Sequence, residues 1–143
     1  MKEIIIVIIR IALGALLVYG GVNKFIPKAP RPSSTEVSTE VPDHVIHIKA
    51  FIGGLKQSGY FWPFLGIAEI VCGLLLISQV LSLMGAVMTV PITLNIFLFH
   101  LFLEPHDLPE LLLTGLCLAA NISLLAYDYH RLKWIFIPNT IKL

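Results

Sequence analysis

The chain has 143 residues, of which 57% are hydrophobic and 13% charged, and its formal net charge at pH 7 is +1. A mean hydropathy of +0.86 lies far from the balance of a soluble domain, so the composition predicts an integral membrane protein. The lipid bilayer is thus its first predicted partner. The near-zero net charge provides no basic surface for binding nucleic acid.

Four segments approach or reach the roughly 20 apolar residues that a helix needs to cross the hydrocarbon core of a bilayer. They run over residues 4–26, 61–80, 81–103 and 109–127. The connections after the second and third segments are short, which makes consecutive helices antiparallel neighbours. The sequence therefore predicts an all-α membrane protein in which residues 1–143 form one transmembrane domain, a bundle of four helices.

The long first loop, residues 27–60, divides into two parts. Residues 27–42 are rich in Pro, Ser, Thr and Glu and lack apolar periodicity, which is typical of an extended loop. Residues 43–58 begin with Asp43, a helix-capping residue type, and carry apolar residues at near-helical spacing. We expect a short amphipathic helix here, either as a surface anchor or as a lid over the mouth of the bundle.

Basic residues near the ends of the spans indicate the orientation of the chain. An even number of spans places both termini on the same side of the membrane. The loop 104–109 is acidic, whereas Arg131 and Lys133 closely follow the last span. The positive-inside rule therefore places both termini in the cytoplasm.

Helical spacing places charged residues on the same faces as glycines in the first two spans. Arg10 and Lys24 share one stripe of the first span with Gly14 and Gly21. Glu69 lies between two glycines of the second span in the same way. Because glycine lets a neighbouring helix approach closely, we predict that these faces meet other helices.

Depth in the membrane groups the polar residues of the spans. At about 1.5 Å per residue, Glu69 and Asn95 lie roughly 18–20 Å from the terminal side, and Arg10 and Asn121 roughly 9–12 Å. An unpaired charge at mid-membrane is costly, so we predict an Arg10–Glu69 ion pair whose remaining hydrogen bonds are completed by the two amides. Such a pair either fixes helix register alone or also binds a ligand or handles protons.

Two further polar residues, His100 and Lys24, lie near the opposite surface. His100 is either hydrogen-bonded among headgroups or available to a ligand, and Lys24 either snorkels towards the loop or joins the site. The turn 104–107 offers oxygen and nitrogen ligands, but its spacing fits no metal motif, so we predict a solvated loop and no metal site. Cys72 and Cys117 form no Cys-x-x-Cys pair and are predicted to be packing residues.

Three stretches of the spans carry a family resemblance. The first span ends in Gly20-Gly21-Val22-Asn23-Lys24-Phe25, and Gly59-Tyr60-Phe61-Trp62-Pro63 leads into the second. The third contains the more specific stretch Pro91-Ile92-Thr93-Leu94-Asn95-Ile96-Phe97-Leu98-Phe99-His100-Leu101-Phe102-Leu103-Glu104-Pro105. In these residues the chain resembles the DoxX-like family of small four-span bacterial membrane proteins. The resemblance covers nearly all of the chain except residues 27–42.

The resemblance implies a multi-pass protein of the bacterial inner membrane. Some members of the family are associated with quinone-linked oxidation of sulfur compounds or with membrane oxidoreductase assemblies. The leading hypothesis is therefore a membrane subunit of a redox system that binds a quinone as its cofactor, or another lipophilic small molecule, in the bundle. A membrane oxidoreductase and a second copy of the chain are its candidate partners.

In this hypothesis Glu69 handles protons. Burial favours the neutral form of a carboxyl group, whereas a neighbouring cation favours the ionised form. The residues assigned to ligand binding are Arg10, Lys24, Asn95, His100 and Asn121. The alternative is a non-catalytic scaffold or assembly factor in which the polar stripes serve helix packing. A third reading is a small proton-coupled carrier, and the sequence leaves open whether any reaction is catalysed.

Overall fold

Six helices make up the part of the chain that the computed structural model describes, residues 1–26 and 43–136. They are α1 (Lys2–Asn23), α2 (Asp43–Gln57), α3 (Phe61–Ile77), α4 (Ser82–Leu103), α5 (Leu108–Tyr127) and α6 (Tyr129–Phe136). No strand occurs within these residues. The predicted extended loop over 27–42 lies outside them, as do residues 137–143.

Three of the described helices, α1, α4 and α5, are long and apolar enough to cross a membrane. The fourth predicted span corresponds to α3, which has 17 residues. It passes the same test only together with residues 45–57 of α2, and the two segments are bent by 88° relative to each other. The predicted fold class, an all-α membrane bundle with a short helix in the first loop, is confirmed.

The second span was predicted to reach residue 80, but α3 ends at Ile77 because a tight turn follows it. Gln79 has a φ of 59°, in the left-handed region that no helix continues through. The Ser78 hydroxyl oxygen accepts a hydrogen bond from the Leu81 amide at 3.2 Å, which closes the turn. The chain then reverses directly into α4.

The closest helix–helix contact joins the antiparallel helices α1 and α3 at two pairs of glycines. A Cβ atom on Gly14 would lie 2.7 Å from the Gly73 carbonyl oxygen, and one on Gly21 would lie 2.6 Å from the Gly66 carbonyl oxygen. These separations leave no room for a side chain, so the two backbones touch. The predicted contact faces of the first two spans are confirmed.

The other helices complete a ring in which α3 packs on α4, α4 on α5 and α5 on α1. At Gly85 of α4 a Cβ atom would lie 2.8 Å from the Leu76 amide nitrogen, so α3 and α4 also approach closely. Cys72 is buried and Cys117 half-buried, and both are free thiols. The buried hydrophobic core consists of Leu13, Leu17, Cys72, Leu76, Ala86 and Leu124.

Neighbouring glycines of α1 provide a matched test of this contact. Gly21→Ala should lower the free energy of unfolding in detergent by about 1–3 kcal/mol, because the new methyl group overlaps the α3 backbone. Gly20→Ala should be neutral or stabilising by up to about 1 kcal/mol, since its Cβ would meet only Glu69 Oε2 at 3.5 Å and alanine favours a helix. Equal thermal stability of the two variants would contradict the contact.

Candidate functional site

A cavity of about 470 Å³ lies between α1, α3 and α4, and α2 forms part of its wall. This volume is in the range of sites that bind small molecules. Most of its wall is aliphatic or aromatic, and four polar side chains reach it. The lining residues are Leu16, Leu17, Gly20 and Lys24 of α1 or its C-cap; Phe51, Ile52 and Leu55 of α2; Phe61, Trp62, Leu65 and Glu69 of α3; and Pro91, Ile92, Asn95, Ile96, Phe99 and His100 of α4.

An ion pair between Lys24 and Glu69 forms the polar side of this cavity. Lys24 Nζ donates a hydrogen bond to Glu69 Oε2 at 2.6 Å, and the Glu69 side chain is only 2% exposed. Lys24 is the C-cap residue of α1. Its side chain points back into the bundle to reach Glu69 instead of snorkelling outwards. One turn earlier, a Cβ atom on Gly20 would be in ordinary contact with Glu69 Oε2 at 3.5 Å, so the α1 backbone passes close beside the carboxylate.

The indole ring of Trp62 is flanked by two cations. Lys24 Nζ lies 5.6 Å from its centroid and Lys56 Nζ lies 5.0 Å from it, both within the range of cation–π attraction. Lys56 belongs to α2, so this contact joins α2 to α3. The rings of Phe51 and Phe99, 5.7 Å apart, join α2 to α4 in the same region.

His100 and Asn95 supply the other polar atoms of the cavity. His100 Nδ1 lies 2.9 Å from the Ile96 carbonyl oxygen. A carbonyl oxygen only accepts, so Nδ1 carries the proton and Nε2 is the acceptor of the neutral ring. Nε2 is also 3.8 Å from the Glu104 carboxylate. Within the described residues, the Asn95 amide makes no hydrogen bond.

The predicted Arg10–Glu69 ion pair is wrong. Arg10 Nη2 instead donates to Asp128 Oδ2 at 2.6 Å, and Nη1 donates to Gln79 Oε1 at 3.3 Å. The register of the glycine contact explains this difference: Gly14 is opposite Gly73, so Arg10 and Glu69 lie about eight residues, or about 12 Å, apart along the helices. Arg10 is therefore level with the α3–α4 turn and the end of α5.

Asn121 is fully buried and serves the packing of α5 on α4. With its amide assigned to satisfy both polar atoms, the nitrogen donates to the Ala86 carbonyl oxygen at 3.1 Å and the oxygen accepts from the Val90 amide at 3.0 Å. Residues 86 and 90 are the partners of one helical hydrogen bond, directly before Pro91. Asn121 thus supports α4 where proline weakens the helix.

The structure therefore divides the predicted site residues into two groups. Four of them, Lys24, Glu69, Asn95 and His100, line one cavity. Arg10 and Asn121 lie outside it. The sequence analysis did not assign Trp62 or the α2 residues to the site. In the fourth span, however, Asn121, Leu124 and Asp128 follow one another at intervals of three and four, and this helical alignment carries the signal for the partner of Arg10.

Among the described residues, no group of three or more His, Cys, Asp or Glu side chains is arranged to hold a metal ion. The site is thus composed of one ion pair, an amide and an imidazole set into an apolar wall. Such an arrangement fits an amphipathic molecule that combines apolar bulk with a few hydrogen-bonding atoms.

These features define a helical integral membrane protein with a cavity inside its bundle. A model of the DoxX family matches residues 5–101, which is more than half of the chain. The protein belongs to the DoxX family, as its motifs indicated. All cavity-lining residues lie within the matched segment. Comparisons with curated proteins and with solved structures gave no match.

Double-mutant cycles test the observed pairing. Arg10→Ala and Asp128→Ala should be non-additive by about 0.5–3 kcal/mol in the free energy of unfolding, because either change alone already breaks their buried contact. Arg10→Ala and Glu69→Ala should be additive, since these side chains do not meet. Thermal unfolding in detergent measures both cycles, and coupling between Arg10 and Glu69 would contradict the register described above.

Proposed function

We propose that the protein is a membrane subunit of a redox system and binds a quinone, or a lipophilic molecule of similar shape, in the cavity between α1, α3 and α4. The observation that carries this proposal is the composition of the cavity. An apolar and aromatic wall accommodates a ring and tail, while the Lys24–Glu69 pair, Asn95 and His100 meet the polar atoms of a head group.

The hydrogen-bonding groups of the cavity match the atoms of a quinone head. Lys24 and Asn95 carry N–H groups that can donate to a carbonyl oxygen. His100 Nε2 and the Glu69 carboxylate can accept from the hydroxyl groups of the reduced form. A bound quinone would supply the redox chemistry, taking up two electrons from an oxidoreductase partner together with two protons.

Glu69 is the residue we assign to proton handling. It is the buried carboxylate of the cavity and is bonded to Lys24, which lies at the end of α1 nearest the loop side. A proton transferred to Glu69 leaves Lys24 without its counter-charge, so the protonation of Glu69 and the position of the lysine ammonium group are coupled.

We further propose that the protein lies in the bacterial inner membrane with both termini in the cytoplasm.

A scaffold or assembly factor is the second candidate, and specific contacts favour it as well. Arg10 pairs with Asp128, and Asn121 hydrogen-bonds to the backbone of α4, so polar residues in these spans also have partners within the protein. On this reading the Lys24–Glu69 pair would also be a packing device, and the partner would be another membrane protein or a second copy of the chain.

Mass spectrometry of an organic extract from the gently purified protein separates the two readings. We expect a near-stoichiometric isoprenoid quinone with the wild-type protein and its loss with Glu69→Gln, because the variant removes the counter-charge that positions Lys24. Glu110→Gln makes the same change at an exposed carboxylate outside the cavity and should retain the ligand.

The double variant Lys24→Gln/Glu69→Gln keeps the cavity neutral, so it allows the test even where the single variant fails to fold. It should fold and still lose the ligand. Bulk phospholipid alone in the wild-type extract would count against the quinone and favour the scaffold. A scaffold further predicts that Glu69→Gln releases a partner protein during purification.

A further inference from the structure

A second, more open cavity lies between α2 and the loop-side end of α4. We call it the outer cavity, and we call the cavity that contains the Lys24–Glu69 pair the main cavity. The outer cavity has a volume of about 580 Å³ and is lined by His47, Ala50 and Phe51 of α2, Phe102 and Leu103 of α4, and Pro105 of the following turn. Apart from His47, this lining is apolar, so it suits a hydrocarbon group.

Phe51 lies at the boundary between the two cavities. Among the described residues, it alone lines both of them. Its ring lies 5.7 Å from the ring of Phe99, which belongs to the wall of the main cavity. Leu103, in the wall of the outer cavity, lies four residues beyond Phe99, or about 6 Å along α4. The two cavities are therefore neighbours.

Protein contacts occupy three other sides of the main cavity. The backbones of α1 and α3 touch at Gly21 and Gly66. The Lys56 ammonium group lies over the Trp62 ring, where α2 meets α3. At the terminal end of the bundle, Arg10 bonds to the end of α5 and to the α3–α4 turn. The boundary at Phe51 differs from these sides because another cavity lies behind it.

α2 is held loosely against the bundle. None of its residues whose burial is described is buried, and Phe51 itself is 42% exposed. The turn between α2 and α3 contains Gly59 with a φ of 77°, a conformation that favours glycine. A segment with few buried apolar contacts opens at a low cost in free energy. The Phe51 ring can therefore move aside without disturbing the packed helices α1, α3, α4 and α5.

A ligand with a long tail does not fit in the main cavity alone. A cube of the same volume, about 470 Å³, has an edge of about 8 Å. A tail that spans one leaflet of the roughly 30 Å hydrocarbon core is about 15 Å long. When the head group meets Lys24 and Glu69, such a tail has to continue into an adjoining apolar space.

We propose that the outer cavity binds the tail of a lipophilic ligand whose head group lies in the main cavity. The tail displaces the Phe51 ring, crosses the outer cavity and reaches the lipid past Phe102, which is 74% exposed. The identity of the head group rests on the function proposed above, whereas the path of the tail rests on the arrangement of the two cavities. The experiment below tests the two separately.

A photoreactive quinone locates the tail. The probe is decyl-ubiquinone with a diazirine at the end of its tail; illumination releases nitrogen, and the resulting carbene inserts into a nearby bond. The full chain is reconstituted into phosphatidylcholine vesicles and illuminated with the probe, and mass spectrometry of the digest identifies the modified residues. Each sample is repeated with an excess of the same quinone head group without a tail, which competes for the main cavity.

We expect modification of residues 47–51 and 102–105, and a severalfold decrease with the competitor, because it displaces the head group. Competed modification of other residues would overturn the path of the tail while supporting a bound quinone. Modification that the competitor lowers nowhere would also overturn it, since no tail would then depend on a head in the main cavity. The extraction experiment decides separately whether the natural ligand is a quinone.

Two substitutions on α2 provide a matched control. Ala50→Phe places a ring in the outer cavity and should lower the modification of residues 102–105 severalfold. Ile46→Phe introduces the same ring at a position that lines neither cavity and should leave the modification unchanged. Both positions are exposed, so neither ring enters the packed core. Equal modification in the two variants would contradict a tail in the outer cavity.

Discussion

The close approach of α1 and α3 determines how the polar residues of this bundle meet. At Gly14 and Gly21 the α3 backbone occupies the space where a side chain would start. A shift of the two helices by one residue would bring a side chain into that space, so the contact permits one register. In this register Lys24 lies beside Glu69, and Arg10 lies beyond the reach of that carboxylate.

In the same register, one end of the bundle is closed by polar contacts and the other end contains the cavity. At the terminal side Arg10 joins α1 to the α3–α4 turn through Gln79 and to the end of α5 through Asp128, and the Tyr127 hydroxyl donates to Glu3. These contacts close that end. At the loop side the ion pair borders a cavity instead of a packed core. The cavity in which we propose that a ligand binds is thus at one end of the molecule.

The sequence was sufficient to predict helices α1 to α5 and the contact faces of the first two spans, because each depends on the spacing within one helix. Gly14 and Gly21 align with Arg10 and Lys24 at intervals of three and four, and this alignment holds in the structure. Partner choice was predicted wrongly because it depends on the register between helices. That register is set by the distances between the two helix backbones. The spacing of residues along one helix carries no information about those distances.

The end of α3 at Ile77 escaped the sequence for a related reason. Ser78 and Gln79 are flanked by apolar residues on both sides, so hydropathy averaged over a whole span does not mark a break there, and the backbone conformation of Gln79 ends the helix. Likewise, Trp62 lies among other aromatic residues in the sequence, and its position between two lysines arises from α2 and the end of α1 meeting over α3.

The location of the Lys24–Glu69 pair favours a ligand over a purely structural role. A buried ion pair often adds no more stability than well-packed apolar residues, so packing alone gives little reason for one. Arg10 and Asn121 contact protein partners away from the cavity, as packing residues do. Lys24 and Glu69 instead line an open space beside an amide that has no partner among the described residues. Polar groups that border an open space in this way are groups that a ligand can reach.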